Sequence, residues 1–229
     1  MLALGGGAGA EVVGLAGWLR RSAASDTAAG TNLQVDLALV DIAAWQHVAD
    51  GLAKTCATPP ELSKYASAAA REANVPFLHK GCLETRFEQA DILDWDEGTV
   101  RAKTEATDVV TIMFTLNELY STSVPKTQRF LSNLSGPMRP GSLLLVVDSP
   151  GSYSVVSINR GERKYPMHWL LDHALLGPKV EENMDVTWEK LVEDESKWFR
   201  QAEDLKYPIE LENMRYQIHL YRRLDAPAG

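Results

Sequence analysis

A glycine-rich turn directly after a short apolar stretch is the feature that most restricts how this chain can fold. The apolar residues 2–4 are followed at once by Gly5, Gly6, Gly7 and Gly9. Glycine is needed where the backbone takes a positive φ or where a ligand approaches it closely. Apolar residues then recur at helical spacing, and a helix N-terminus presents free N–H groups to a polar ligand. A strand, a tight turn and a helix in this order predict a ligand-binding turn in an α/β domain.

Along the rest of the chain, apolar runs of strand length alternate with stretches of helical periodicity. We predict strands at 2–4, 35–40, 86–90, 109–114, 142–147, 186–192 and 214–222. We predict helices at 11–21, 45–54, 61–73, 127–135, 169–176 and 197–204, and a Gly/Ser-rich loop after Asp148. Five β–α units followed by a terminal pair of strands predict a three-layer α/β sandwich, with a Rossmann-like seven-stranded sheet that is mostly parallel and has an antiparallel last strand.

Size and composition narrow the class of protein. The 229 residues are 45% hydrophobic and 24% charged, which is typical of a single globular domain. The longest apolar runs, such as 143–147, are far too short to cross a bilayer. The two cysteines, Cys56 and Cys82, have no zinc spacing, so we expect no metal site and a reducing compartment, the cytoplasm or the nucleus. Because the first strand has only a few residues, we also expect natural sequence to be missing upstream.

The charge balance limits how the chain could bind nucleic acid. A formal net charge of −8 disfavours bulk non-specific binding to phosphates. A local basic patch stays possible at Arg160, Arg163 and Lys164, although a solvated loop explains the same residues equally well.

Acidic residues follow two of the predicted strands, at the edge where ligands bind in such sheets. Asp41, with Ile42 beside it, follows the second strand, where a carboxylate can accept hydrogen bonds from both hydroxyls of a ribose. Nicotinamide and S-adenosylmethionine folds share this feature. Asp91 follows the third strand, where it could bind an adenine amine while Ile92 packs on the ring, a pair more typical of methyltransferases. Alternatively, Asp91 only caps a helix.

The fourth predicted strand ends in a polar segment. Thr115 and Leu116 lead into Asn117 and Glu118, and two polar residues after an apolar strand are costly unless they are satisfied or used. In methyltransferases this edge faces the methyl group and the substrate. Asn117 could instead cap the next helix, with Glu118 favoured in its first turn by the helix dipole. Both interpretations can hold together.

Four segments, 5–11, 117–120, 166–173 and 212–217, resemble the fungal uridine-N3 methyltransferases of large-subunit (25S) ribosomal RNA, which belong to the class I S-adenosylmethionine-dependent enzymes. The resemblance runs from residue 5 to about 223. It implies S-adenosylmethionine as the cofactor, S-adenosylhomocysteine as its product, and RNA of the ribosome or pre-ribosome as the partner. Ala3 departs from the superfamily, in which this position is commonly acidic. The cofactor site that we predict comprises Gly5, Gly6, Gly7, Gly9, Asp41, Ile42, Asp91, Ile92, Thr115 and Leu116.

The implied reaction needs particular side chains. Uracil N3 carries a proton and is a poor nucleophile until the proton is removed, so a general base within hydrogen-bonding reach is expected. Glu118 is the first candidate and His168 the second, and Asn117 could hold a uracil carbonyl. The predicted substrate-binding residues are Tyr120, Tyr165, Trp169 and Arg163, of which the aromatic ones could stack on a base. Each has a structural alternative: Trp169 in the core and His168 as a hydrogen-bonded structural histidine.

Two other classes of protein fit part of the pattern. A dinucleotide-dependent oxidoreductase shares the glycine turn, but its ribose-binding acid follows the glycines by about 20 residues, and Asp41 lies further along. A non-catalytic binding subunit with a methyltransferase fold is the second alternative, and Ala3 keeps it open. We expect a monomer without a membrane partner.

Overall fold

The computed structural model describes residues 1–25, 33–151, 153–158, 161–177 and 187–225 of the chain. The strands are β1 (Leu2–Leu4), β2 (Val35–Asp41), β3 (Leu83–Gln89), β4 (Val109–Met113), β5 (Leu143–Asp148), β6 (Tyr153–Ile158), β7 (Gly161–Pro166), β8 (Trp188–Phe199) and β9 (Met214–Arg223). The helices are α1 (Ala10–Ser25), α2 (Gln46–Ala57), α3 (Ala68–Glu72), α4 (Glu97–Thr104), α5 (Leu116–Thr122), α6 (Val124–Leu134) and α7 (Met167–Leu176). Short 3₁₀ turns lie at Gly6–Ala8 and Ile92–Asp94.

Seven strands form one sheet in the order β3-β2-β1-β4-β5-β9-β8, and β6 pairs with β7 in a separate hairpin. The parallel pairs include β1 with β2, β2 with β3, and β4 with β5. The last strand, β9, runs antiparallel to both of its neighbours, β5 and β8. The predicted fold class is therefore confirmed, and β9 is the antiparallel strand that the sequence indicated.

The chain divides into two compact units, Met1–Asp91 and Ile92–Gly229. In the first unit, Val12 of α1 and Ala49 of α2 pack against Ala3, Leu37 and Leu39 of the strands, and all five are at most 1% exposed. A fully buried side chain of this kind contributes about 1.5–3 kcal/mol for Val or Leu. This core holds the ends of β1 and β2 in place.

In the second unit, one face of β9 is polar and buried at the same time. Gln217, His219 and Tyr221 alternate along the strand and are each at most 2% exposed. Strand side chains alternate between two faces, so these three share one face. Buried polar groups need partners, and these partners become part of the site described below.

Three predicted elements are wrong. The helix predicted at 61–73 is reduced to α3, Ala68–Glu72, in which no residue is buried, so no packing supports a longer helix. The helix predicted at 197–204 is replaced by the end of β8, because Lys197–Phe199 pair with residues 214–216 of β9. The predicted loop after Asp148 contains the antiparallel hairpin of β6 and β7. The predicted helix at 197–204 and the predicted loop after Asp148 are wrong because pairing between strands overrides local propensity.

Among the described residues, no helix is long and apolar enough to cross a membrane. Both cysteines are free and partly buried.

Candidate functional site

The glycine turn of the first unit is fixed by positive backbone angles at both of its ends. Gly5 has φ 76° and Gly9 has φ 78°, which lie in the left-handed region that favours glycine. The Gly5 N–H donates to the carbonyl of Val40 (2.8 Å), and the Gly9 N–H donates to the carbonyl of Gly6 (3.0 Å). The turn therefore holds the end of β1 against the end of β2 and begins α1 at a defined position.

Gly7 brings this turn into direct contact with the end of β2. Its N–H donates to Oδ2 of Asp41 (3.1 Å), while Oδ1 of Asp41 accepts from the N–H of Ala43 (2.8 Å). A Cβ added to Gly7 would lie 2.0 Å from Cδ1 of Trp45 and 2.6 Å from Oδ2 of Asp41. Only glycine permits this approach, so the turn, Asp41 and Trp45 form one packed cluster.

The Asp41 carboxylate of this cluster is able to accept hydrogen bonds from the hydroxyls of a ribose. Each carboxylate oxygen of Asp41 is used by one backbone N–H, and a carboxylate oxygen can accept a second hydrogen bond. Asp41 is only partly buried, so hydroxyl groups can reach it. Ile42, which is 70% exposed, offers an apolar surface directly after the carboxylate, and its carbonyl accepts from Nε2 of Gln89 (3.0 Å). Asp91 is partly buried at the end of the first unit.

In the second unit, Asp148 anchors the polar segment that follows β4. This carboxylate is 2% exposed, its Oδ2 accepts from the N–H of Asn117 (3.0 Å), and its Oδ1 accepts from the N–H of Ser149 (2.7 Å). Burial raises the pKa of Asp148 and the charge of Glu118 also raises it, whereas backbone hydrogen bonds from Asn117, Ser149 and Leu116 lower it. Sequence reasoning missed Asp148 as a site residue, although an acid at the end of a strand was the signal used for Asp41.

The predicted residues after β4 divide into buried and accessible ones. Leu116 is fully buried, and Oγ1 of Thr115 donates to the carbonyl of Met113 (3.0 Å). Asn117 is partly buried and Glu118 is exposed, in the first turn of α5. Glu118 directly follows Asn117, whose N–H donates to the carboxylate of Asp148. Glu118 is therefore a solvent-accessible carboxylate beside a buried anchor, which suits a group that must exchange protons.

Phe114, at the end of β4, carries a backbone conformation that sequence reasoning did not detect. It has φ 55°, it is the one described non-glycine residue with a positive φ, and its side chain remains 40% exposed. Its N–H donates to the carbonyl of Val147 (2.7 Å), which fixes the backbone there. An aromatic residue in the left-handed region costs about 1–2 kcal/mol, and such strain concentrates at functional sites.

The strain at Phe114 gives a direct prediction. Phe114→Gly and Phe114→Ala remove the same ring, but only glycine accepts φ 55° without strain. We expect the glycine variant to be more stable than the alanine variant by about 1 kcal/mol, the reverse of their usual order in helices. Urea unfolding of both variants measures the difference. A more stable alanine variant would mean that the backbone at this position is not left-handed.

An aromatic stack begins at the end of β7 and continues along α7. The rings of Tyr165 and Trp169 stack with centroids 4.9 Å apart and an interplanar angle of 19°. His173 follows one helical turn later, with its ring centroid 5.5 Å from that of Trp169. Trp169 is 45% exposed, which argues against the core position that its apolar neighbours indicated. The structure thus brings Tyr165 and Trp169 together on an accessible surface.

His168 belongs to a partly buried polar network rather than to that stack. Its Nε2 lies 3.5 Å from Oε1 of Glu195, and its ring lies 6.1 Å from the ring of His219. Nε2 of His219 lies 3.2 Å from Oε1 of Gln217, whose Nε2 donates to the carbonyl of Ser149 (2.7 Å). Burial, followed by the charge of Lys190, lowers the pKa of His219. The network therefore connects α7 to the turn that carries Asp148.

Like Leu116, the predicted site residues Tyr120 and Ile92 have buried side chains, and the side chain of Arg163 lies outside the described part. Tyr120 is 2% exposed, and its hydroxyl accepts a hydrogen bond from Nε2 of Gln128 (2.8 Å). Its ring is therefore packed in the core, and the prediction that it stacks on a base is wrong. Ile92 is 5% exposed, within the 3₁₀ turn that follows β3. Arg163 lies in β7, but its side chain and that of Lys164 lie outside the described residues, as does Arg160.

The glycine turn, the acids after β2 and β3 and the sheet order define a methyltransferase of the Rossmann-like class. Residues 1–222 match a protein family described as "Putative SAM-dependent methyltransferase", and the chain belongs to that family. The predicted cofactor, S-adenosylmethionine, is thereby confirmed, and the dinucleotide-dependent oxidoreductase is set aside.

Similar proteins of known sequence or structure agree with this class. The chain is 33% identical over 232 residues to a protein of Saccharomyces cerevisiae named 25S rRNA (uridine(2843)-N(3))-methyltransferase, covering 96% of the chain and 60% of that protein. The chain therefore spans about three fifths of the length of this relative. The resemblance drawn from the four sequence segments is confirmed.

Solved structures support the fold. A SAM-dependent methyltransferase from Methanosarcina mazei is 12% identical, with a TM-score of 0.51 over 97% of this chain and 91% of that one. A protein of echinomycin biosynthesis, associated with conversion of a disulfide bond into a thioacetal group, is 15% identical, with a TM-score of 0.50 over 97% of this chain and 74% of that one. At these identities the similarity shows the fold alone.

Proposed function

We propose that this chain transfers a methyl group from S-adenosylmethionine to N3 of a uridine in large-subunit ribosomal RNA. The observation that carries the proposal is the 33% identity, over 96% of the chain, to the yeast enzyme with this activity. The chain spans 60% of the length of that enzyme. The activity of the chain therefore has to be measured on the chain itself. The substrate places the reaction in the nucleus or the cytoplasm, where ribosomal RNA is made and matured.

The first unit supplies the cofactor-binding residues. Asp41 binds the ribose hydroxyls, Ile42 contacts the nucleoside, and Asp91 binds the adenine amine, while Gly5, Gly7 and Gly9 form the turn that lets the cofactor approach the backbone. When bound, S-adenosylmethionine supplies an electrophilic methyl group on a sulfonium. The unusual close approach at Gly7, with its N–H already paired to Asp41, supports this assignment.

The second unit supplies the groups that prepare the uracil. Glu118 accepts the N3 proton. It is an exposed carboxylate in the first turn of α5, so a substrate can reach it without a change in the fold. Asp148 fixes the backbone of Asn117 by the hydrogen bond at 3.0 Å, so that the Asn117 amide can donate to a uracil carbonyl. Removal of one proton by a positioned base contributes about 10²- to 10⁴-fold to rate. His168, half-buried and close to Glu195, is the second candidate base.

The stacked rings of Tyr165 and Trp169 bind the target base or its neighbour. Unstacked RNA bases are recognised by stacking on aromatic side chains, and this pair presents an accessible indole already ordered by a second ring. Such stacking compensates for the cost of removing a base from its own stack.

A product assay tests the proposal. The purified chain is incubated with S-adenosylmethionine and large-subunit ribosomal RNA from a strain that lacks the corresponding methylation, and nucleosides are separated by mass spectrometry. We expect N3-methyluridine, which reverse transcription also detects because N3 methylation blocks pairing. Methylation at another atom would refute the N3 assignment. Binding of S-adenosylhomocysteine without any transfer would favour the non-catalytic subunit.

A further inference from the structure

The β8–β9 hairpin extends beyond the sheet that supports it. In β9, only residues 217–222 pair with β5, and Gln217 lies opposite Asp148, the last residue of β5. β9 runs antiparallel to β5, so residues 214–216 continue past the carboxyl end of β5. They pair there with Lys197–Phe199 of β8 alone. We call residues 197–216 the arm, and it stands at the same end of β5 as Asp148 and Asn117.

The arm exposes large apolar side chains that the rest of the fold does not cover. Those at least 40% exposed are Trp198, Phe199, Leu205, Tyr207, Ile209, Leu211 and Met214. Exposed apolar side chains in such number are typical of an interaction surface in a globular protein. They lie at the carboxyl end of β5, the end at which Asp148 binds the N–H of Asn117.

Two arginines lie over the exposed indole of the arm. The guanidinium of Arg200 lies 5.0 Å from the centroid of Trp198, and that of Arg215, its cross-strand partner, lies 5.6 Å from it. Arg215 also donates to Oγ of Ser196. Within the ranges that the structure describes, neither guanidinium forms an ion pair with a carboxylate. Both positive charges therefore remain available to an anion.

The charge of the arm differs from that of the chain as a whole. The chain carries −8, whereas the arm has four basic residues, Lys197, Arg200, Lys206 and Arg215, and four acidic ones, Glu203, Asp204, Glu210 and Glu212. The acidic residues all lie in the connection between the strands, and the paired strand ends carry only basic ones. At the Trp198 end the arm carries Lys197, Arg200 and Arg215 without an acidic residue, and the acidic residues 193–195 precede it in β8.

We infer that the arm binds the single-stranded RNA that flanks the methylated uridine. A base stacks on Trp198, and Arg200 and Arg215 turn from the indole to contact phosphates, which is how proteins hold single-stranded nucleic acid without reading its sequence. This inference rests on the proposed function for its substrate class. It gives an acidic domain a local means of holding RNA without bulk electrostatic attraction.

Binding of a fluorescent single-stranded RNA of mixed sequence to the whole chain, measured by anisotropy in the presence of S-adenosylhomocysteine, tests the inference. We expect Trp198→Ala to weaken binding by about 5- to 100-fold and Trp198→Phe to retain most of it. The matched control is Trp18→Ala, since Trp18 of α1 is similarly exposed, at 44% against 50% for Trp198. We expect the double variant Arg200→Gln, Arg215→Gln to lower the slope of log affinity against log salt by about 1.4, and Arg101→Gln to leave it unchanged.

Calorimetric titration of the same variants with S-adenosylhomocysteine separates the two proposals. If cofactor binding persists but Trp198→Ala binds RNA as tightly as the unchanged chain, the arm is not an RNA surface. The same conclusion follows if the unchanged chain binds no RNA, or if Trp198→Ala only converts a dimer to a monomer in sedimentation, since the arm would then bind a second copy. Failure of the proposed function would appear instead as an absence of N3-methyluridine with the RNA affinity of the arm intact.

Discussion

Glu118→Gln will lower the rate of methyl transfer by about 10²- to 10⁴-fold, with little change in affinity for S-adenosylhomocysteine. Glutamine keeps the size and hydrogen-bonding capacity of the side chain but cannot accept the N3 proton. The residue is exposed, so the substitution leaves the core unchanged. Single-turnover rates with saturating ribosomal RNA measure the effect on chemistry apart from binding.

The pH dependence of this variant distinguishes a general base from a positioning residue. A missing base can be replaced in part by hydroxide, so the deficit of Glu118→Gln should shrink as the pH is raised. A residue that only positions the uracil would leave a deficit that is constant with pH. His168→Gln serves as the comparison, and a larger deficit there, with the same pH response, would transfer the role of the base from Glu118 to His168.

Gly7→Ala will remove measurable binding of S-adenosylhomocysteine, or weaken it by at least about tenfold, a loss of about 1.4 kcal/mol or more. The added Cβ would lie 2.0 Å from Trp45 and 2.6 Å from Asp41, so the indole and the carboxylate must both move. The hydrogen bond that joins the Gly7 N–H to Asp41 is then lost with the geometry of the ribose site. Isothermal titration calorimetry measures the affinity directly.

Gly14→Ala is the matched control for this substitution. Gly14 lies in α1, and a Cβ there meets no atom within 4 Å, so we expect unchanged affinity and a gain in stability of about 0.5–1 kcal/mol. If Gly7→Ala binds the cofactor product as tightly as Gly14→Ala does, the turn at Gly7 does not form part of the cofactor site.

The sequence alone predicted the parts of the proposed cofactor site that are local in the chain. The turn at Gly5–Gly9 could be predicted because positive φ angles require glycine, and Asp41 because the residues directly after parallel strands lie at the edge where ligands bind. The mostly parallel seven-stranded sheet and its antiparallel last strand could be predicted from apolar runs and from alternation in that strand, whereas the spatial order of the strands was not predicted. These signals depend on neighbours within a few residues, so they survive without tertiary information.

Only the tertiary structure decided which residues of the second unit are accessible and which are anchors. Tyr120 and Trp169 are both aromatic residues predicted to stack on a base, yet one is 2% and the other 45% exposed. Asp148 became an anchor because β5 brings it to the N–H of Asn117, 31 positions away in the chain. Residues 197–199 form a strand because β9 pairs with them, although their local pattern favours a helix. Burial and pairing between distant segments set these outcomes, and neither is encoded in the spacing of nearby residues.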